Sequence, residues 1–296
     1  MSIVHDFIYH KPASLDEALG LLSKYQDKAY VLAGGTDLVC NLKEDVVKPK
    51  AVIDVKGIAD LATLHWDERE LWIGALITFN QIAHSRTVKD NFPLLMEAAS
   101  SVGSYGLRNR ATMVGNICSA VPCMDSAPAL LVYDAHVHLM TKEGRKNIPI
   151  SKWFTGVRKT AIKPGQLVLG VSIGLPAKRH SACYLKLGRY SGEDLAQVSV
   201  AAVVLPGNHY RVAFGSVGPV PIRSKKIESA LNGKKIGNKL LQEVQKLVVK
   251  EIFPITDIRA SKEYRTHMSK VLFERSMLVA MARFNGNGPR YGAELL

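Results

Sequence analysis

The sequence predicts an α+β protein that is divided into two domains. Its 296 residues exceed the length of a typical single domain, and 47% of them are hydrophobic, which is enough for packed cores. In the first part of the chain, short apolar strands are interleaved with helices and glycine turns. Near the C-terminus, a run of strands precedes a run of helices, as in a small sheet covered by helices. We therefore predict domains at residues 1–178 and 179–296, with the boundary near Pro176 to Ser181.

The first domain begins with a helix that carries its own start signal. Residues 14–17 read Ser-Leu-Asp-Glu, which matches a capping box, and apolar residues follow at helical spacing. The apolar run 29–33 predicts a strand, which leads through Gly34-Gly35-Thr36-Asp37 into a helix over 38–43. Further elements of this domain are predicted as strands at 51–55, 61–65, 71–75, 136–141 and 167–173, and as helices after Thr78, from Pro93 and over 127–135.

Residues 103–125 interrupt this regular pattern. They are rich in Gly, Asn, Ser and Arg and show little periodicity, so they predict a long loop between two strong helices. Long ordered loops are commonly functional. The second domain is predicted to contain strands at 182–187, 198–205 and 209–215, followed by helices over 222–231, 239–251 and 261–284.

The charge balance leaves several classes of partner open. Lys and Arg number 39 against 26 Asp and Glu, a net charge of +13 that suits nucleic acid, an acidic protein or a phosphate-bearing ligand. The basic residues are scattered, and no zinc-finger spacing or basic-aromatic strip occurs, so nucleic acid is disfavoured. No apolar run reaches about 20 residues, and residues 1–6 lack a signal-peptide pattern, which predicts a soluble, cytoplasmic protein. The four cysteines are interpreted as reduced thiols.

The Gly34-Gly35-Thr36 turn is a candidate phosphate site. Glycine lets the backbone approach a ligand closely, and a helix start supplies unpaired N–H groups, so a diphosphate fits there. The turn lacks the Gly-Lys-Ser/Thr of a P-loop and the Gly-x-Gly-x-x-Gly of a dinucleotide fold. An ordinary tight turn, with Thr36 or Asp37 capping the helix, is the alternative.

A second candidate wall of a ligand cleft lies within the predicted loop. Residues 112–116 offer a hydroxyl, a glycine and an amide side chain, and Asp125 stands at the threshold of the next helix. The alternative is that Asn116 and Asp125 satisfy loop backbone and cap that helix.

Two further patterns have weaker functional interpretations. Residues 170–174 match the Gly-x-Ser-x-Gly pattern of serine hydrolases, but Pro176 closes a strand where that site needs a helix. His136 and His138 alternate along a strand and could form the edge of a metal site. Because metal sites need three or four ligands and no third is near in sequence, ordinary strand histidines are the better interpretation.

Four stretches stand out in order along the chain: Ala33–Leu38, Arg108–Ile117 with Asp125, Lys186–Arg189 and Gly215–Arg223. Taken together, they resemble the FAD-binding medium subunit of the molybdenum hydroxylases. That family includes the flavin subunits of xanthine, carbon monoxide and nicotinate dehydrogenases, and the likeness covers nearly the whole chain. It implies an FAD-binding domain of the vanillyl-oxidase (PCMH) type, made of two α/β subdomains, before a C-terminal domain of a small antiparallel sheet plus helices.

The resemblance also implies which residues bind FAD. Two backbone segments would surround the diphosphate, Asp125 would hydrogen-bond a polar part of FAD, and Leu169 or a neighbour would line the adenine side. Lys186 would reach the flavin from the second domain, and Leu195 would lie beside the isoalloxazine ring, where relatives carry a tyrosine. The backbone residues in this set are Val31, Leu32, Ala33, Gly34, Gly35, Thr36, Asp37 and Leu38, then Val102 and Gly103, then Thr112, Met113, Val114, Gly115 and Asn116.

The implied function is electron transfer within a larger complex. In the family, a large molybdopterin subunit hydroxylates a substrate such as a purine or nicotinate, and a small subunit with [2Fe-2S] clusters relays electrons. FAD then passes them to NAD(P)+ or another acceptor, and this chain supplies no general acid or base. The alternatives are a self-contained FAD oxidoreductase of the same superfamily and a basic binding module without enzymatic activity.

Overall fold

The chain begins with a small parallel sheet. The structure is a computed structural model and describes residues 3–190 and 192–296. Helix α1 (Leu15–Tyr25) starts where its capping box predicts, with the Ser14 hydroxyl accepting from the N–H of Glu17. Strand β2 (Ala29–Leu32) leads through the glycine turn into α2 (Leu38–Lys43), as the sequence predicts. The strands of this sheet are, in order of pairing, β1 (Ile8–His10), β3 (Ala51–Asp54) and β2 (Ala29–Leu32).

A five-stranded antiparallel sheet forms the second part of the first domain. The strand predicted at 61–65 begins later, because residues 59–61 form a 3-10 turn instead. A short hairpin of β8 (Phe154–Gly156) and β9 (Lys159–Thr160) precedes the last of these strands in the sequence. The five strands are, in order of pairing, β4 (Leu64–Trp66), β5 (Glu70–Gly74), β10 (Leu167–Gly174), β6 (His136–Thr141) and β7 (Gly144–Pro149).

Six short helices connect β5 to β6. The prediction of a long loop over 103–125 is wrong, because two of these helices lie within it. The side chains of Ser104 and Thr112 cap the first turns of these two helices. Both helices are too short to show a hydrophobic periodicity in the sequence. The six are α3 (Phe79–His84), α4 (Arg86–Asn91), α5 (Pro93–Ser100), α6 (Tyr105–Arg108), α7 (Met113–Ser119) and α8 (Ser126–Val132).

The last part of the chain is an antiparallel sheet followed by three helices, as predicted. The helix predicted from residue 222 starts later, because Ile222 and Arg223 pair with the preceding strand and Ser224 caps the helix. The strands are β11 (Ser181–Leu187), β12 (Val198–Leu205), β13 (His209–Gly215) and β14 (Ile222–Arg223), and the helices are α9 (Lys225–Leu231), α10 (Asn238–Glu251) and α11 (Lys262–Phe284).

This last sheet is buried on both faces. On one face, side chains such as Tyr184 and Val203 join the core of the first part of the chain. On the other face, Leu185 belongs to a second core, which also contains Phe273 of α11. The predicted α+β fold class is confirmed, and the predicted boundary falls in the connection between β10 and β11. In the described part of the chain, none of the helices is both long and apolar enough to cross a membrane.

Candidate cofactor site

The Gly34 turn lies at the carboxyl end of the parallel sheet. Gly35 has φ +82°, a left-handed conformation that favours glycine. A Cβ on Gly34 would overlap the carbonyl oxygen of Arg110, so the close approach there is to the chain's own backbone. The backbone N–H groups of residues 34–38 donate to no acceptor within the described residues. Free donors between a strand and a helix suit an anion, so this turn fits the diphosphate of FAD.

The second predicted segment is more closed. Thr112 caps α7 by accepting from the N–H of Gly115 at 3.0 Å, and the N–H of Met113 reaches the carbonyl of Ile77. A Cβ on Gly115 would lie 2.8 Å from the Thr112 hydroxyl, so the cap itself explains the glycine. Residues 112–116, predicted as a wall of the ligand cleft, therefore form the N-cap and first turn of a helix rather than a loop.

Side-chain contacts nevertheless bring the two segments together. The Ser119 hydroxyl at the end of α7 donates to the Asp37 carboxylate at 2.6 Å. At the other side of α7, the Asn116 amide oxygen accepts from the Ser126 hydroxyl at 2.6 Å. Side-chain hydrogen bonds therefore link the turn to α7, and α7 to Ser126, the residue after Asp125.

Asp125 connects the first part of the chain to the last sheet. Its carboxylate accepts from the Lys186 ammonium at 2.8 Å and from the Tyr184 hydroxyl at 3.0 Å. It makes no side-chain hydrogen bond to α8, so the alternative that it caps this helix is wrong. Burial raises the pKa of Asp125 despite the neighbouring lysine. A buried carboxylate that faces movable donors is suited to binding a polar ligand.

The backbone at 101–103 lies against the same lysine. The Lys186 ammonium also donates to the carbonyl of Ser101 at 2.8 Å. Arg108 donates to the carbonyls of Val102 and Gly103, which fixes this turn next to the Asp125 pair. The two predicted residues of this turn are thus close to Lys186, as a shared site requires.

Two predicted residues lie apart from this cluster. Leu169 is buried at a β-bulge of β10, where its carbonyl accepts from the N–H of Ala75. Leu195 is 46% exposed in the loop after β11. The Asp194 carboxylate holds that loop by accepting from the N–H groups of Arg189 and Leu195. Leu195 is therefore presented to solvent from a fixed backbone.

Sequence reasoning missed a polar group beside the glycine turn. Asp54 ends β3, the central parallel strand, and pairs with Lys56 at 2.7 Å and with the Tyr9 hydroxyl. Burial opposes ionisation of Asp54, but hydrogen bonds from Lys56 and Tyr9 lower its pKa. The Lys56 ammonium also reaches the carbonyl of Ala33 at 3.4 Å, which places a cation next to the turn. An apolar strand that ends in Asp is the sequence signal that could have identified this group, because ligands bind at the carboxyl ends of parallel strands.

The two weaker patterns receive no functional support. Ser172 lies buried within β10 rather than at a strand–helix turn, so the hydrolase geometry is absent. Its hydroxyl is 2.8 Å from Nε2 of His138, whose pKa is lowered by burial. Residues 3–190 and 192–296 contain no cluster of three or more side chains arranged to hold a metal ion.

Comparisons with known proteins extend over nearly the whole chain. Residues 5–177 match the family described as the FAD binding domain in molybdopterin dehydrogenase, and residues 182–280 match the CO dehydrogenase flavoprotein C-terminal domain. The xanthine dehydrogenase FAD-binding subunit of Escherichia coli O157:H7 is 28% identical over 284 residues, 94% of this chain and 97% of that one. The carbon monoxide dehydrogenase medium chain of Hydrogenophaga pseudoflava is 30% identical over 281 residues, 94% and 98% of the two chains. A solved structure of carbon monoxide dehydrogenase from Hydrogenophaga pseudoflava, lacking the Mo-pyranopterin moiety, matches with TM-score 0.92 and 29% identity over 96% of this chain and 99% of that one.

Proposed function

The chain belongs to the family of FAD-binding domains of molybdopterin dehydrogenases, and from that premise we propose that it is the electron-exit subunit of a cytoplasmic molybdenum hydroxylase. It would accept electrons from [2Fe-2S] clusters on a small partner subunit and pass them through FAD to NAD(P)+ or another acceptor. A large molybdopterin subunit would hydroxylate the substrate, a purine or an N-heterocycle such as nicotinate.

The observation that carries this proposal is the open turn at residues 34–38. Its unpaired N–H groups would bind the FAD diphosphate, with Val31 to Ala33 leading into the turn and Lys56 adding a positive charge. On the other side, the α7 segment and the 101–103 turn would complete the wall around the same cofactor.

The remaining residues would position the flavin rather than carry out acid–base chemistry. Asp125 would accept hydrogen bonds from FAD while Lys186 keeps a positive charge beside it. Leu195 would lie against the ring, and Leu169 would line the adenine side. When bound, FAD supplies the conversion between one-electron and two-electron transfer, which the protein controls by orientation and electrostatics.

A substitution at Gly35 tests the diphosphate site. Gly35→Val introduces a β-branched side chain at positive φ, where strain costs about 1 kcal/mol or more, and its Cβ would lie 3.0 Å from the Leu32 side chain, so the turn must change shape. We expect the soluble variant to lose FAD. The matched control is Gly144→Val, at φ +114° in the β6–β7 hairpin with no neighbour within 4 Å, which should keep FAD. Stoichiometric FAD in purified Gly35→Val protein would contradict this site.

Anaerobic reduction tests the electron-exit role. The isolated FAD-loaded chain should be reduced by dithionite or excess NAD(P)H, but candidate purines and pyridine carboxylates should leave its flavin oxidised. Adding the iron–sulfur and molybdopterin subunits should restore bleaching by the substrate. Rapid bleaching by substrate in the isolated chain would instead establish the self-contained FAD oxidoreductase.

A further inference from the structure

An unusually apolar loop is exposed on the last part of the chain. The connection between α10 and α11, residues 252–260 and here named the apolar loop, presents three large side chains to solvent. Phe253 is 66% exposed, Ile255 69% and Ile258 93%. Val249 near the end of α10 and Tyr264 near the start of α11, the helices that flank the loop, are also exposed. Contiguous apolar patches on a protein surface typically mark sites of protein association.

The apolar loop contains no regular secondary structure, but several hydrogen bonds define its conformation. The Asp257 carboxylate accepts from the backbone N–H groups of Arg259 and Ala260 and from the guanidinium of Arg265 at 2.8 Å. The N–H of Phe253 donates to the carbonyl of Val217 at 2.7 Å. A preorganised surface loses little conformational entropy on binding, so its exposed side chains can contribute fully to affinity.

Hydrogen bonds also connect the apolar loop to the segment that carries Leu195. The Gln197 side chain donates to the carbonyl of Arg259 at 2.6 Å, and Arg265 donates to the carbonyl of Gln197 at 2.6 Å. Arg265 is 3% exposed, so this connection is buried. One set of hydrogen bonds therefore joins the apolar loop to Gln197, which lies two residues along the chain from Leu195.

The rim of the surface is mainly basic. Lys250 and Lys262 flank the apolar loop as exposed cations, and Glu263 is the exposed acid among them. The charge of Asp257 is compensated within the loop by Arg259 and Arg265. The surface thus fits a partner whose contact face has an apolar centre and carboxylates at its rim.

We propose that the apolar loop is the docking surface for the small iron–sulfur subunit. This rests on the proposed function, in which electrons reach the flavin ring from a cluster on that subunit. Because the partner must come close to the ring, it must cover surface that adjoins Leu195, and the apolar loop is the preorganised apolar surface on that side. Ile258 and Ile255 would be the central contacts.

Binding measurements with charge-introducing variants test the docking surface. The full FAD-loaded chain is titrated with the iron–sulfur subunit of the same complex, and the dissociation constant is compared for wild type, Ile258→Glu and Ile255→Glu/Ile258→Glu. Buried interface anchors typically contribute 2 kcal/mol or more, so the double variant should bind at least about thirtyfold more weakly. Val4→Glu is the control, because Val4 is 82% exposed near β1. It should bind within twofold of wild type, and all variants should retain FAD and its reduction by dithionite.

The possible failures are distinguishable. If wild type binds the iron–sulfur subunit and the double variant binds equally well, the docking surface is wrong while the proposed function stands. If no iron–sulfur subunit binds to wild type, both proposals are overturned. If the double variant instead converts a dimer of this chain to a monomer in sedimentation, with unchanged partner binding, the loop is a self-association surface and the proposal is wrong.

Discussion

Two buried carboxylates at the seam between the two parts of the chain differ in how their partners are fixed. Glu97 on α5 accepts from Arg283 at 2.8 Å and from the backbone N–H groups of Tyr184 and Gly292. Asp125 accepts from two side chains, the Tyr184 hydroxyl and the Lys186 ammonium. Tyr184 thus serves both, through its backbone for one carboxylate and through its phenol for the other.

This difference distinguishes a carboxylate that stabilises the fold from one that is suited to binding a ligand. The donors to Glu97 are two backbone groups and a guanidinium that also donates to the carbonyl of Ala182, so they cannot turn toward a ligand without disturbing β11. The donors to Asp125 are side chains that can rotate without moving the backbone. We infer that Glu97 stabilises the seam and that Asp125 is free to exchange partners with FAD.

The largest expected effect is therefore on stability, at Glu97. Glu97→Ala would leave Arg283, whose side chain is 3% exposed, as an uncompensated buried charge. Breaking a buried ion pair in this way typically costs about 3–5 kcal/mol of unfolding free energy. Urea unfolding of the FAD-free chain measures the loss, with Glu97→Gln as a milder variant should the alanine form fail to fold.

The matched control is an exposed pair in the same chain. Glu143 pairs with Lys146 with more than half of both side chains in solvent, and exposed pairs contribute little. Glu143→Ala should therefore leave the unfolding midpoint almost unchanged. A similar loss in the Glu97 and Glu143 variants would contradict the structural role of Glu97.

The second effect is on FAD affinity, at Asp125. Charge-assisted hydrogen bonds contribute about 1.5–3 kcal/mol, so Asp125→Ala should weaken FAD binding at least tenfold, measured by fluorescence titration of the FAD-free chain. Glu97→Gln is the control and should keep the dissociation constant within about twofold. If Asp125→Ala changes only the unfolding temperature, Asp125 belongs with Glu97 as a seam residue, and the distinction between them fails.

What the sequence could predict follows from the range of the interactions involved. Local signals succeeded: the capping box predicted α1, and the glycine turn between β2 and α2 was placed correctly. In contrast, α7 was missed, because a seven-residue helix with Gly115 and Asn116 in its first turns has no periodicity to detect.

The seam could not be predicted, because its contacts are distant in sequence. Glu97 and Arg283 are separated by 186 positions, and neither lies in a recognisable motif. Asp125 and Lys186 were each expected near the flavin from the family resemblance. Their mutual ion pair is a property of the folded chain, since it depends on β11 docking against α5 and on α8 docking against β12 and β13.

The smallest expected effect concerns pH, and it separates Asp125 from an ordinary ion-paired carboxylate. Burial raises the folded pKa of Asp125 above 3.8, so the stability that this carboxyl contributes is fully present below that pH and is lost as pH rises through the folded value. Relative to Asp125→Asn, the FAD-free wild type should therefore lose unfolding free energy as the pH rises above 3.8. Asp257 gives the opposite control: although burial opposes it, hydrogen bonds from Arg259 and Arg265 lower its pKa to about 2. Its contribution is present above 3.8 and is lost as pH falls toward 2, so wild type should lose stability relative to Asp257→Asn on acidification. If the unfolding free energy of the wild type instead increases relative to Asp125→Asn as pH rises, pairing with Lys186 outweighs burial. Asp125 then forms a fixed ion pair, as Glu97 does.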